Sequence, residues 1–250
     1  MMYLTETNLF ETTKKQFIFK LNAYIGAFTS LMFTQFFGIL FSLAGSGSSG
    51  GGSNSISFNI TYYTGNTIIA LTLIWMFITG VTVTTKQNRD GDFAFVSNRL
   101  SSNLANIAFL VTAALVGAVT AMLSGTLLKV IIYFFKSTEK IVSQTYIVPP
   151  LELVIGLTAT FLYALLISGL GYLAGTLVQI NKLFVVILPA TVIGFLFLEG
   201  RLNGGGILFA VGKIFVMESS LFLLTLKVFV TAAVLFYSGT LISNRLEVRR

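Results

Sequence analysis

LSSNLANIAFLVTAALVGAVTAMLSGTLL, residues 100–128, contains no Asp, Glu, Lys or Arg. A helix of that length exposed to water needs a charged face, and this one has none, so its natural solvent is lipid. Two further stretches, 21–85 and 153–181, are equally free of charge. A single membrane crossing needs only about 20 apolar residues. The composition agrees with this reading. Of 250 residues, 55% are hydrophobic and 10% charged, whereas a soluble domain carries roughly 25% charged residues.

The expected fold class is therefore an all-α integral membrane protein with about six transmembrane helices. The spans are read at 23–44, 66–85, 104–128, 153–180, 183–198 and 220–243, the last containing Lys227. Ser42, Leu43 and Ala44 form a small-x-small end, but the apolar run before them is longer than a signal-peptide core, which favours an uncleaved span. After the first span, GSGSSGGGSNS at 45–55 reads as a flexible segment. Residues 126–150 read as a segment at the outer interface, closed by Pro149 and Pro150 before the fourth span.

Ahead of the first span, NLFETTKKQFIFKLN at 8–22 sets Leu9, Phe10, Phe17 and Leu21 against Lys14, Lys15 and Lys20. That split suits a helix lying in the membrane interface. Residues 1–22 are assigned to it, 23–243 to the transmembrane domain and 244–250 to a tail.

The basic residues give the orientation. With six spans and both termini on one side, that side holds Lys14, Lys15, Lys20, Lys86, Arg89, Arg99, Lys182, Arg245, Arg249 and Arg250. The other holds Lys129, Lys136, Lys140, Arg201, Lys213 and Lys227. The richer side is expected to be cytoplasmic, in a cell membrane. The net charge of +7 is thereby explained without nucleic acid, which would call for a basic stripe with interleaved aromatics.

Chemistry is sparse. Without Cys or His, disulfides, thiolate or imidazole metal sites and His-dependent triads are excluded. Gly212-Lys213 has Ile207 where a phosphate-binding loop needs glycine and Ile214 where it needs Ser or Thr. No catalytic, cofactor-binding or metal residues are expected in this chain. Lys129 and Lys227 lie near predicted outer ends, where a long side chain snorkels to the interface. On the fourth span, Gly171 and Gly175 form a G-x-x-x-G with Ser168 one turn earlier, a surface for close helix approach.

The segment 86–103, KQNRDGDFAFVSNRLSSN, combines charges, a glycine and the apolar group Phe93, Phe95 and Val96. Such a segment reads either as a solvated loop or as a short helix that docks on a soluble protein. The chain as a whole resembles the permease subunits of ABC-2-type ABC transporters, especially small six-span permeases of Gram-positive bacteria. Three stretches carry the likeness: residues 8–22 resemble the family's interfacial connecting helix, 89–110 its coupling helix and 199–220 its short re-entrant outer helices.

The resemblance implies that Asp90, Gly91, Asp92, Phe93, Phe95, Val96 and Arg99 couple to an ATPase. It implies that Lys14, Lys15 and Phe17 belong to the interfacial helix, and that 199–219 turns back on the outer face at Gly204, Gly205 and Gly206. It further implies two copies of a separate ABC ATPase that binds ATP and Mg, and a second permease subunit, in contact with membrane lipid. The substrate is expected to be an amphipathic or hydrophobic peptide, lipid or drug that is exported. A secondary transporter and a non-transporting membrane scaffold are the rival readings.

Overall fold

The computed structural model describes residues 8–53, 56–86, 88, 99–135, 149–201, 206–218 and 220–245. The elements run α1 (Leu9–Ala23), α2 (Ile25–Leu43), β1 (Gly47–Ser53), β2 (Ile56–Tyr62), α3 (Asn66–Val83), α4 (Arg99–Phe135), α5 (Pro150–Ile180), α6 (Phe184–Arg201), α7 (Ile207–Val216) and α8 (Leu221–Arg245). Of the described helices, α2, α3, α4, α5 and α8 are long and apolar enough to cross a membrane. The expected fifth span falls on α6, whose apolar part, Phe184–Glu199, is shorter and includes Pro189.

Helix α1 is capped by Asn8, whose side-chain oxygen accepts from the Phe10 N–H at 3.1 Å. It runs into α2 with only Tyr24 between them. Two boundaries move relative to the sequence reading. Helix α4 spans 37 residues, about 55 Å and well beyond the roughly 30 Å of a bilayer core. It takes in Arg99–Asn103 of the 86–103 segment, and at its other end it continues through Lys129 to Phe135 in place of an interfacial stretch. The physical reason is that TLLKVIIYFF contains no Pro or Gly to stop the helix.

The glycine-rich segment is also more ordered than expected. It forms β1, paired antiparallel with β2 from Gly47 opposite Tyr62 to Ser53 opposite Ile56. Gly45, at φ 107°, makes the left-handed exit from α2 that glycine permits. Ser46 then closes the base of the hairpin: its N–H donates to Tyr62 O at 2.8 Å, its hydroxyl to Thr64 O, and it accepts from the Thr64 N–H, the last two at 2.9 Å. The template is β2, ISFNITY, whose alternation of apolar and polar residues is a strand pattern.

Helix α5 lies at the centre, against α3, α4 and α8. It starts with Pro150 in its first turn, where the missing N–H costs nothing. Its glycines set the α3–α5 contact. A Cβ on Gly171 would overlap the Phe77 carbonyl, one on Gly175 would overlap Thr84 Oγ1, and one on Gly80 of α3 would come within 2.6 Å of Ser168 O. The backbones touch because these positions carry no side chain. Around this seam Val83, Phe109, Leu110, Leu165, Tyr172 and Phe236 form one buried cluster, with the Tyr172 and Phe236 rings 5.7 Å apart.

Candidate functional site

Two polar residues of α1 face the protein. Gln16 and Lys20 stand one turn apart, on one face of the helix, and are buried, with Lys20 only 1% exposed. The Lys20 ammonium donates to Asn106 Oδ1 of α4. Lys20 therefore does not belong with a solvent-facing charged edge. Lys14 and Lys15 are exposed, while Phe17 and Leu21 are half-buried against the core around Phe109. Leu9, Phe10, Ile18 and Phe19 are the exposed apolar residues of this helix.

Next to this contact, the ends of α3, α4, α5 and α8 form a small cleft of about 20 Å³, room for one oxygen-sized group. Thr84, Ser102, Asn103, Asn106, Thr176 and Ser243 line it. Tyr172 and Ser243 donate to Asn103 Oδ1 at 3.2 and 3.3 Å. The Asn103 amide nitrogen is buried without a hydrogen-bond partner, as are both polar atoms of the Gln16 side chain. Arg99, the first residue of α4, donates to the Asn244 carbonyl at 2.9 Å. The end of α8 and the start of α4 are thus tied at the end of the bundle that carries the cleft.

Within the bundle, Gln35 of α2 is 4% exposed. Its amide donates to Thr120 Oγ1 at 2.9 Å, Thr72 Oγ1 at 3.3 Å and Gly117 O at 3.4 Å. One side chain thereby joins α2, α3 and α4 in the middle of the apolar layer, where such bonds have no competing water. Trp75 adds a bond to Ser30 Oγ at 2.9 Å.

At the opposite end, α7 is held by Tyr163, which donates to Phe215 O at 2.9 Å, and by an ion pair between Lys227 and Glu218. Lys227 is expected to snorkel towards the interface, and the structure supplies it with a fixed carboxylate partner. Gly206 is buried at the start of α7, and a Cβ there would overlap the Glu199 side chain. A side chain at this position would require the Glu199 side chain to move aside.

Of the residues singled out from the sequence, Asp90, Gly91, Asp92, Phe93, Phe95, Val96, Gly204 and Gly205 lie outside the described residues. Ser168, Gly171 and Gly175 sit in the α3–α5 contact. Lys20, Gln35, Asn103 and Asn106 were not legible as a site. Their only sequence signal is polarity inside a charge-free run, which for Gln35 and Asn106 is a mark of interhelical bonding. Among the described residues, no group of three or more Asp or Glu is placed to hold a metal ion. No protein family, curated protein or solved structure matches the chain.

Proposed function

We propose that this chain is the membrane-spanning permease subunit of an ATP-driven ABC-2-type transporter, with ATP hydrolysed by a separate subunit. The observation that carries the reading is the tie between α1 and α4 through Lys20 and Asn106. Helix α4 leaves the 86–103 segment as one 37-residue rod. A push on that segment from a soluble motor would therefore move α4 and α1 together and reach the far side of the membrane without a joint to absorb it. The tie of Arg99 to the end of α8 adds the last span to the moving unit.

In this reading α6 is the fifth of six spans, α7 lies on the outer face and both termini are cytoplasmic. Two permease subunits, identical or paralogous, pack side by side with an ATPase under each. Switching is then a rigid-body rearrangement driven from the cytoplasmic face. The apolar character of the spans favours an amphipathic or hydrophobic cargo over small ions, since an ion path would require charges within the bilayer.

Affinity purification of the tagged chain from its native membrane in mild detergent tests the proposal. An ABC ATPase should come down with it in near-stoichiometric amount. A preparation that transports substrate on an ion gradient with no ATPase present would replace this reading with a secondary transporter.

A further inference from the structure

The cleft at the ends of α3, α4, α5 and α8 holds carboxamide donors for a definite reason. Lys20 fixes the orientation of Asn106, because an ammonium only donates and must face the carboxamide oxygen. What Asn106 has left to offer is its NH2 group. Asn103 is in the same position: its oxygen is taken by Tyr172 and Ser243, and its amide nitrogen is buried without a partner. Asn103 thus stands in the cleft wall with its oxygen used and its amide nitrogen without a partner, Asn106 stands there with its oxygen used, Gln179 lines the cleft as well, and none of the described lining residues is a carboxylate.

The depth of the cleft matters as much as its chemistry. Thr84 is the C-cap of α3, Thr176 lies in the last turns of α5 and Ser243 in the last turn of α8. Helix ends of this kind lie at the level of lipid headgroups. In sequence, Lys86 and Lys182 come three and two residues after the ends of α3 and α5, and Arg99 begins α4; basic residues at helix ends favour anionic headgroups.

We propose that this cleft binds a phosphate oxygen of an anionic headgroup, received by the amide groups of Asn103 and Asn106. The volume fits one oxygen, with the remainder of the phosphate at the open side. The site is independent of whether the chain transports anything. A lipid phosphate and free phosphate share this chemistry, and the experiment separates them.

The full-length protein, delipidated in mild detergent, is titrated with phosphatidylglycerol, with a phosphate-free diglucosyl diacylglycerol and, in a separate arm, with inorganic phosphate. Native mass spectrometry reads lipid retention and thermal unfolding reads stabilisation. The wild type should retain phosphatidylglycerol at least about tenfold better than the glycolipid, a difference well within two or three charge-assisted hydrogen bonds. Stabilisation by inorganic phosphate without selective lipid retention would identify free phosphate as the ligand. Asn103→Asp keeps the acceptor for Tyr172 and Ser243 but replaces the NH2 donors with a negative oxygen, and it should remove the preference. Equal retention of the two lipids by the wild type together with no effect of phosphate overturns the proposal, whether or not the variant folds. A folded Asn103→Asp protein with undiminished phosphate selectivity overturns it as well.

Discussion

Lys20 and Asn106, 86 residues apart in sequence, meet in the interior with the lysine ammonium on the carboxamide oxygen. Both residues are more than nine-tenths buried. The contact converts an amphipathic N-terminal helix from a passenger on the membrane surface into part of the bundle, and it also sets which atoms of Asn106 face the neighbouring cleft.

Breaking this contact from one side should cost more than removing it from both. Asn106→Leu takes an acceptor away from a buried ammonium and should destabilise by about 1.5–3 kcal/mol, whereas Lys20→Met keeps the stem packing and loses less. The double variant Lys20→Met/Asn106→Leu should be more stable than the sum of the single losses predicts. Thermal unfolding in one detergent measures all three, and strict additivity would deny the pair its coupling.

The glycines of the α3–α5 contact should separate cleanly from those facing open space. Gly80→Ala and Gly171→Ala each force backbone apart and should cost about 1–3 kcal/mol. A Cβ on Gly26 or Gly194 meets nothing within 4 Å. At those two positions alanine should be neutral, or stabilising by up to about 1 kcal/mol through helix propensity. Unfolding temperatures that fail to rank the two pairs in this order count against the packing described.

Gln35→Leu should weaken the bundle only moderately, by about 1–2 kcal/mol, because interhelical bonds in membranes average roughly 0.6 kcal/mol each. The hydroxyls left behind keep partners in their own helices, Thr72 on Ile68 O and Thr120 on Val116 O, both at 2.8 Å. Retention of fold with a lowered unfolding temperature is the expected result; an unfolded variant would mean that Gln35 does more than staple three helices.

Topology is open to direct measurement. If α6 is a sixth span, cysteines introduced at Ser49 and Arg250 should react with an impermeant thiol reagent from opposite sides of the membrane, Ser49 from outside and Arg250 only after permeabilisation. Reaction of both from outside would reverse the end of the chain and remove α6 from the count of spans.

Phe93, Phe95 and Val96 carry the docking prediction. Aromatic anchors buried in a partner's pocket are worth 2 kcal/mol or more each, whereas the same residues in a solvated loop are worth little. If the proposed function holds, Phe93→Ala/Phe95→Ala should release the proposed ATPase partner and abolish transport-linked hydrolysis without altering membrane insertion or detergent stability. Asp90 and Asp92 should chiefly affect association rate and its salt dependence. Co-purification of the double variant with its ATPase in full yield would return the segment to a plain topology loop.

The sequence alone determined the solvent and the element type. The apolar stretches within the charge-free runs 21–85, 100–128 and 153–181 have one stable environment, and in lipid the backbone must satisfy its own hydrogen bonds, which makes those stretches helical; the hairpin at 47–62 lies between two of them. Gly171-x-x-x-Gly175 was legible as a contact surface for the same local reason, a missing side chain. The partner of that surface was not legible, and neither was the inward turn of Lys20, nor the joining of three helices by Gln35. In a soluble protein the apolar stripe of a helix says which way it faces; in a membrane the lipid is as apolar as the core, so Leu and Phe on either face carry no direction. Residues 8–22 sit at the boundary of the two cases, and there a basic residue looked like a surface residue until Asn106 was seen to lie behind it. The placement of Lys20, Gln35 and Asn103 was decided by partners 37 to 140 residues away. Only the assembled helices bring those partners within reach.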